Sequence, residues 1–474
     1  MSQSTSYYHK FNGLLNFIRQ AIKGEDLDYT AIPMRKAIFM LAIPMVLEMI
    51  MESVFAIVDL YFVGHLPYSS QAIQTVGLTE SVLTIIYSLA IGISMAATAL
   101  VARRVGEKNP DGAAKAAIHT IYLALLLVSV LSVAGSYYAA DILRIMGAET
   151  ATIEIGTNYT RIMMGSSAVI MLLFLINGIF RGAGDASMAM KSLWLANICN
   201  IILCPILIRG LGPIPAFGLT GAALATTIGR GLGVVYQLYH LFKGAGVVKI
   251  LKKHLAIEWE IIKTVLKIAS PGTLQFIIMS CSWIFLAKLV ADTGKDVASA
   301  GYQTALRIVM FFILPAWGLS NAATTLVGQN LGAKQPERAE RSVIKTAQYN
   351  ATFMAIVTFF FLIFPVPIVS LFTNDEHVKQ YAVEAMRIIS CGYIFYGVGM
   401  VMANAFNGAG DTWTPTWVNL AGFWFFQIPL AYFLSTTLNW GPTGVFIAIP
   451  VAETAITITA FILFKKGRWK RMMI

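Results

Sequence analysis

The chain has 474 residues, 57% apolar and only 12% charged, with a net charge of +11 and a mean hydropathy of +0.69. Soluble domains carry roughly 25% charged residues, so this composition excludes a water-soluble enzyme and describes a chain that mostly faces lipid. The cationic surplus does not call for nucleic acid, because it is explained by where the lysines and arginines fall between membrane spans.

In chain order, the first 36 residues show no compact apolar region ahead of a small-residue cleavage site, so no cleavable signal peptide is expected. Residues Tyr7–Lys23 mix Phe11, Leu14, Leu15, Ile18 and Ile22 with Lys10, Arg19 and Lys23, the pattern of either an interfacial helix or a disordered tail. Spanning the hydrocarbon takes about 20 mainly apolar residues. Twelve such stretches begin near Ile38, Val76, Lys115, Tyr159, Ser187, Ala216, Ile262, Ser299, Val343, Val383, Trp413 and Gly441. The sequence therefore predicts an all-α integral membrane protein of two six-helix bundles. The expected domains are a cytoplasmic N-terminal segment (1–37), an N-lobe (38–241), a basic linker (242–261), a C-lobe (262–465) and a cytoplasmic tail (466–474).

The two halves are copies of one unit. FRGAGD at Phe180–Asp185 returns as FNGAGD at Phe406–Asp411, and at the same offset SMAATALV (Ser94–Val101) returns as SNAATTLV (Ser320–Val327). ALVARRVGEKNPDGA (Ala99–Ala113) matches TLVGQNLGAKQPERA (Thr325–Ala339) at six of fifteen positions. An internal duplication in a membrane chain marks secondary transporters, whose substrate sites lie between the repeats. Six spans per half put both copies in the same orientation, related by a pseudo-two-fold axis along the membrane normal. With both termini inside, 26 lysines and arginines lie on the inner side and seven on the outer, leaving Arg230 and Arg307 within spans. The positive-inside rule thus predicts cytoplasmic termini and an inner-membrane, multi-pass protein whose basic loops meet anionic lipid.

Cys199, Cys204, Cys281 and Cys391 all fall in spans without CxxC spacing, and the six histidines are scattered over loops and span ends. Neither a zinc site nor a disulfide framework is indicated, and no cofactor is expected. Intramembrane acids are the informative residues, because a carboxylate in hydrocarbon is costly and is usually retained to bind or carry something. The first span carries Glu48, Glu52 and Asp59, whose spacings of four and seven put all three on one helix face. Glu80, early in the second span, is expected at a depth similar to that of Asp59. At the first-span positions the second half supplies Gln275, Met279 and Leu286 instead, so the copies differ in chemistry. The polar candidates of the C-lobe are Glu453 in the last span, Gln275 in the seventh and Arg307 in the eighth. Pro44 in the first span and Pro271 in the seventh are candidate bending points or static kinks. Inward-facing aromatics and methionines are expected to contact flat cationic molecules.

The order of motifs, IPMVLEM and VDLYFVGHL in the first span, RGAGD after the fourth, N-x-x-x-x-P followed by GLTGAALAT, and the repeated NGAGDT, resembles the multidrug and toxic compound extrusion (MATE) family over about Met34 to Phe464. The resemblance implies a V-shaped pair of bundles that exports organic cations and drugs in exchange for inward H⁺ or Na⁺. In the DinF-like branch the cation site of the N-lobe uses an aspartate in the first helix, an Asn-x-x-x-Asp pair in the fifth and a threonine in the sixth. Those motifs fall on Asp59, Asn200 and Thr226, but Cys204 stands where the second aspartate would be. The NorM type places a glutamate in the seventh helix and an aspartate in the tenth; neither position is acidic here, Met279 falling at the former.

A thiol is a poor exchange for a carboxylate as a Na⁺ ligand, whereas one buried carboxyl group suffices to load and release H⁺. H⁺ is therefore expected ahead of Na⁺, with Asp59 as carrier, Asn200 and Thr226 as its hydrogen-bond partners, and Glu48, Glu52 and Glu80 as secondary acids. The expected protein is a monomeric antiporter, not an enzyme, binding small organic cations and membrane lipid. Two alternatives stand beside it. One is a lipid-linked oligosaccharide flippase of the same architecture, which requires several basic residues in its cleft. The other is an intramembrane GxGD aspartyl protease using Asp185 and Asp411, which are better read as helix N-caps after glycine turns.

Overall fold

A computed structural model describes residues 13, 15–244 and 246–474, and within them the chain is helical throughout its membrane region. Among the described residues nine helices are long and apolar enough to cross a membrane, and the pair Glu376–Ser390 and Tyr393–Ala409, bent by 55°, makes a tenth. Two more passes complete the expected twelve. The seventh and eighth spans run together as Trp259–Gly332 across a non-helical Lys295, and the sixth, Leu219–Lys243, is too polar to pass on apolarity alone. The remaining spans are the first (Met34–Gly64), second (Ser69–Gly106), third (Pro110–Tyr137), fifth (Ala186–Arg209), ninth (Pro336–Ile363), eleventh (Trp413–Thr437) and twelfth (Pro442–Lys465).

The duplication is visible in the breaks. The fourth span is interrupted at Ser166, between Thr150–Gly165 and Ser167–Ala183, and the tenth at Cys391–Gly392, the equivalent place. Both then end on left-handed glycines, Gly184 at φ 91° and Gly410 at φ 85°, a conformation that costs a side-chain-bearing residue strain. Asp185 then caps the fifth span by accepting from the Met188 N–H at 3.0 Å, and Asp411 accepts from the Thr414 hydroxyl at 2.7 Å. The GAGD motifs are thus helix punctuation, as expected, and offer no aspartyl dyad.

Two boundaries move. The sixth span extends to Lys243 and the helix of the seventh begins at Trp259, with the acid Glu260 in its first turn, where it favours a helix start. The linker between them is accordingly shorter than 242–261 and contains one helical turn, Lys252–His254. Residues 15–23 are helical. Ser187 donates to the Ile22 carbonyl at 2.6 Å and Lys191 to that of Lys23 at 2.6 Å, docking this helix on the start of the fifth span. The rest of the Tyr7–Lys23 segment falls outside the described residues.

Each half builds its own apolar core, and the halves meet at the end of the molecule that carries both termini. There Ala37, Ile38, Leu41 and Met45 of the first span pack on Leu319, Ala322 and Leu326 of the eighth. Gly92 lies so close to Ala269 and Thr273 of the seventh span, and Gly106 to Gln329 of the eighth, that neither has room for a Cβ; small residues let membrane helices approach backbone to backbone. Hydrogen bonds lock the same end: Gln329 to the Gly182 carbonyl (3.0 Å), Thr325 to the Arg181 carbonyl (2.9 Å), Arg103 to the Met472 carbonyl (3.0 Å), and Arg338 to the carbonyls of Tyr29 and Ile32. Toward the other end the first span exposes Ile50, Val54, Ile57 and Tyr61, and the eighth Arg307, Met310 and Phe311. The lobes are therefore sealed at the terminal end and splayed at the opposite one.

Candidate functional site

The three first-span acids face the interior of the N-lobe, as their spacing requires, and each meets a different partner layer. Glu48, nearest the sealed end, accepts from Asn177 at 2.9 Å and lies 3.8 Å from the Arg181 guanidinium; both partners are on the fourth span. Gln237 of the sixth span donates to Asn177 Oδ1 at 2.6 Å and closes that layer. One helical turn on, Glu52 accepts from Asn197 of the fifth span at 3.0 Å and pairs with Arg230 of the sixth at 3.3 Å. Arg230 is almost fully buried, also contacts the Tyr87 hydroxyl at 3.3 Å, and sits over the Phe55 ring at 5.4 Å. A buried guanidinium of this kind is tolerable only with a counter-charge and near-complete hydrogen bonding.

Asp59 forms the third layer and has no arginine of its own. Its Oδ1 accepts from the Cys204 thiol at 3.7 Å. Tyr159 is buried within charge reach of Asp59, Glu80 and Cys204, and Arg230 within reach of both acids. Asp59 is half-buried while Glu80 is exposed, so these two carboxyls form the mouth of the charged chamber where the lobes part.

Several sequence expectations take a different geometry here. Asn200 and Thr226 bond each other, amide to hydroxyl at 2.9 Å, rather than Asp59, and the Asn200 Oδ1 is buried without a partner. The direct contact of Asp59 comes instead from Cys204, one turn beyond Asn200 on the fifth span. Glu48 and Glu52 are not free acids, since each faces an arginine. Arg181 belongs to the fourth span and points at Glu48, whereas the sequence pattern sets the RGAGD motif it opens after that span. Nothing in the sequence announced Asn177, Asn197, Tyr87 or Tyr159 as partners; polar residues within spans were the available signal.

The C-lobe candidates are scattered. Gln275 donates to Asn407 Oδ1 at 3.2 Å and to the Thr412 carbonyl at 3.0 Å, tying the seventh span to the end of the tenth and the start of the eleventh. Arg307 is exposed on the eighth span, eleven residues and close to three whole turns from Gly318, which abuts Met45 of the first; it therefore faces the parted N-lobe. Glu453 is buried inside the C-lobe, remote from both. Among the described residues no group of three His, Cys, Asp or Glu side chains is arranged for a metal.

Two six-helix bundles packed together at one end, with Asp59 and Glu80 toward the other, have the architecture of a membrane transporter. The chain belongs to the MATE family of transporters, whose profile, MatE, matches residues 44–206 and 271–433, one stretch in each lobe. It is 26% identical over 442 residues to the probable multidrug resistance protein NorM of Thermotoga maritima, covering 93% of this chain and 94% of that one. It is 24% identical over 446 residues to the multidrug export protein MepA of Staphylococcus aureus, covering 93% and 96%. A solved structure described as the outward-facing conformation of a multidrug resistance MATE family transporter superposes with a TM-score of 0.87 at 27% identity, over 94% of this chain and 98% of that one. MATE proteins are ion-coupled antiporters without enzyme cofactors, and no catalytic chemistry is at issue.

Proposed function

We propose that this protein exports small cationic or amphipathic drugs in exchange for H⁺, with Asp59 as the shared binding group for cargo and proton. The observation that carries the reading is the charge pairing along the first span. Glu48 and Glu52 each have an arginine, whereas Asp59 has only a thiol and opens, with Glu80, toward the parted lobes. A carboxyl group that no fixed cation neutralises accepts either a proton or a cationic cargo, so the two compete and exchange needs no long-range signal. Cys204 in contact with Asp59 supports H⁺ over Na⁺, since a thiol donates a hydrogen bond to the carboxylate but serves poorly in a shell of hard oxygen ligands. Asn200 and Thr226, bonded to each other one turn away, act as the polar floor of this chamber.

The sealed end, with the termini and most lysines and arginines, is the cytoplasmic one in this reading, and the open end faces out. The flippase alternative lacks support, because Arg181 and Arg230 are committed to Glu48 and Glu52 rather than free to line a cleft for a pyrophosphate. The test is efflux from inside-out vesicles under either a pH or a Na⁺ gradient. Wild type is expected to respond to the pH gradient alone, and Asp59→Asn to lose gradient-driven efflux while remaining folded and inserted. Near-normal efflux from that variant, or efflux driven by Na⁺ alone, refutes the assignment.

A further inference from the structure

The C-lobe encloses a carboxyl group that exchange at Asp59 does not use. Glu453 stands halfway along the twelfth span, is 6% exposed, and has an Oε1 atom buried without a hydrogen-bond partner. The hydroxyl of Tyr393, on the tenth span just past its break, is equally buried and unpartnered. Both residues line one small cavity of about 20 Å³, together with Trp283, Ile313, Tyr396 and Pro450 among others. That is room for one water, and the two orphaned groups are the polar partners a buried water needs.

The register between the halves shows what Glu453 replaces. GLTG at Gly218–Gly221 opens the sixth span and GPTG at Gly441–Gly444 opens the twelfth, at a slightly shorter offset than the one that relates the earlier motifs. Contacts confirm the pairing: Thr227 meets Ser166 at 3.0 Å at the break of the fourth span, and its counterpart Pro450 abuts Gly392 at the break of the tenth. On this register Glu453 occupies the place of Arg230. The partners of Arg230 have been exchanged as well, Glu52 for Met279 and Tyr87 for Ile313. A cation with its counter-charge has become an acid with none. Tyr393 and Tyr396 are the titratable groups that face it from the tenth span. The seventh and eighth spans contribute Trp283, Val309 and Ile313, and no other charged side chain lines the cavity among the described residues.

An ionised carboxylate in such a site has nothing to balance it, whereas a neutral acid needs one acceptor for its O–H and one donor for its carbonyl oxygen. A single water shared with the Tyr393 hydroxyl supplies both. We propose that Glu453 is a second proton-binding site, a neutral carboxylic acid joined through one water to Tyr393. It releases its proton to water when movement at the tenth-span break, packed on Pro450, widens the cavity. In that step the carboxyl O–H bond breaks, the proton passes to a water molecule, and the electron pair stays on the carboxylate. The remaining wall is largely apolar and offers too few oxygens for Na⁺.

The proposal stands independently of Asp59, and its test separates the two. Infrared spectra of the full chain in lipid at neutral pH are expected to contain the C=O band of a protonated carboxyl group, retained in Asp59→Asn, lost in Glu453→Gln and shifted in Tyr393→Phe. In proteoliposomes Glu453→Gln is expected to lower the protons taken up per molecule exported by about two-fold, as loss of one of two carriers requires. A carboxyl band present in Asp59→Asn that survives when Glu453→Gln is added, or an unchanged proton ratio in Glu453→Gln, overturns the proposal. Should Glu453→Gln fail to fold, an unshifted band in Tyr393→Phe overturns it equally.

Discussion

The N-lobe and the C-lobe share a backbone plan but solve its polar interior in opposite ways. At the sealed end the N-lobe joins its first and fourth spans through Glu48 and Arg181; at the equivalent positions the C-lobe joins its first and fourth through Gln275 and Asn407, amide to amide at 3.2 Å. A turn further out the N-lobe buries Glu52 with Arg230, whereas the C-lobe places Met279 against an apolar cluster that contains Phe423 and Ile456. The amide pair holds two helices together at any pH, but the ion pairs do so only while both partners stay charged. What differs between the copies is therefore less the scaffold than the capacity to respond to a proton or a cation. The duplication kept the breaks, glycine turns and caps in both halves and placed the buried acid–arginine pairs in one.

The largest effect should come from disturbing the Glu52–Arg230 layer. Arg230→Met leaves Glu52 buried without its counter-ion, and breaking one side of such a pair costs about 3–5 kcal/mol. The variant should show a strongly lowered melting temperature in detergent. Adding Glu52→Met, which copies the C-lobe residue, should recover most of that loss, since an apolar replacement of a buried pair is often near neutral. No recovery in the double variant would mean that the layer is held by Asn197 and Tyr87 rather than by charge.

A smaller effect is expected one turn below. Replacing Glu48 by Gln together with Arg181 by Asn rewrites the N-lobe pair as the C-lobe one, and stability should stay within about 1 kcal/mol because one hydrogen bond replaces another. Arg181→Asn alone should cost about 1–3 kcal/mol more, through the unpaired carboxylate. Equal losses in the single and double variants, read as melting temperatures, would show that the two lobes do not tolerate each other's chemistry at this layer.

How much of this was legible in the sequence depends on the range of the interaction. The twelve spans, the duplication, the glycine turns with their aspartate caps, and the shared face of Glu48, Glu52 and Asp59 all follow from local periodicity and spacing. Partners do not. Arg181 and Arg230 lie several helices along the chain from Glu48 and Glu52, the acids they face, and only packing of the fourth and sixth spans on the first brings them there. The motif match set Asn200 and Thr226 beside Asp59, yet once their helices pack, amide and hydroxyl satisfy each other and the thiol of Cys204 takes the carboxylate. The charge reversal between Arg230 and Glu453 was hidden by a change of register. The offset that relates Phe180 to Phe406 in the fourth and tenth spans exceeds the one that relates Gly218 to Gly441 at the sixth and twelfth, so carrying the first offset onward pairs Arg230 with Ile456.

The terminus-bearing ends of the lobes supply the mildest test, because there both copies hold a lysine-bonded carboxyl near the start of a matching helix, though at non-equivalent positions. In the N-lobe, Asp111 at the start of the third span accepts from Lys253 (2.9 Å) and His254 (3.0 Å), just beyond the sixth. In the C-lobe, Glu340 at the start of the ninth pairs with Lys465 (2.8 Å) and Lys470 (2.6 Å), at and beyond the end of the twelfth. The lysine hydrogen bonds hold both carboxyls below their ordinary range. A depressed folded value means that the stabilisation is complete above the unfolded value, roughly 4 for such groups, and is lost as pH falls through the folded one. Both sites are solvent-accessible, so for Glu340 the contribution is at most about 1 kcal/mol and should weaken further with salt. Melting temperatures in detergent should therefore decline slightly more steeply below about pH 4 in wild type than in Glu340→Gln. A similar flattening is expected in Asp111→Asn if the lobes are truly alike at this end. A flattening in one variant only would extend the asymmetry of the interior to the surface, and make the lysine-bonded carboxyl at this end another feature the copies have not kept in common.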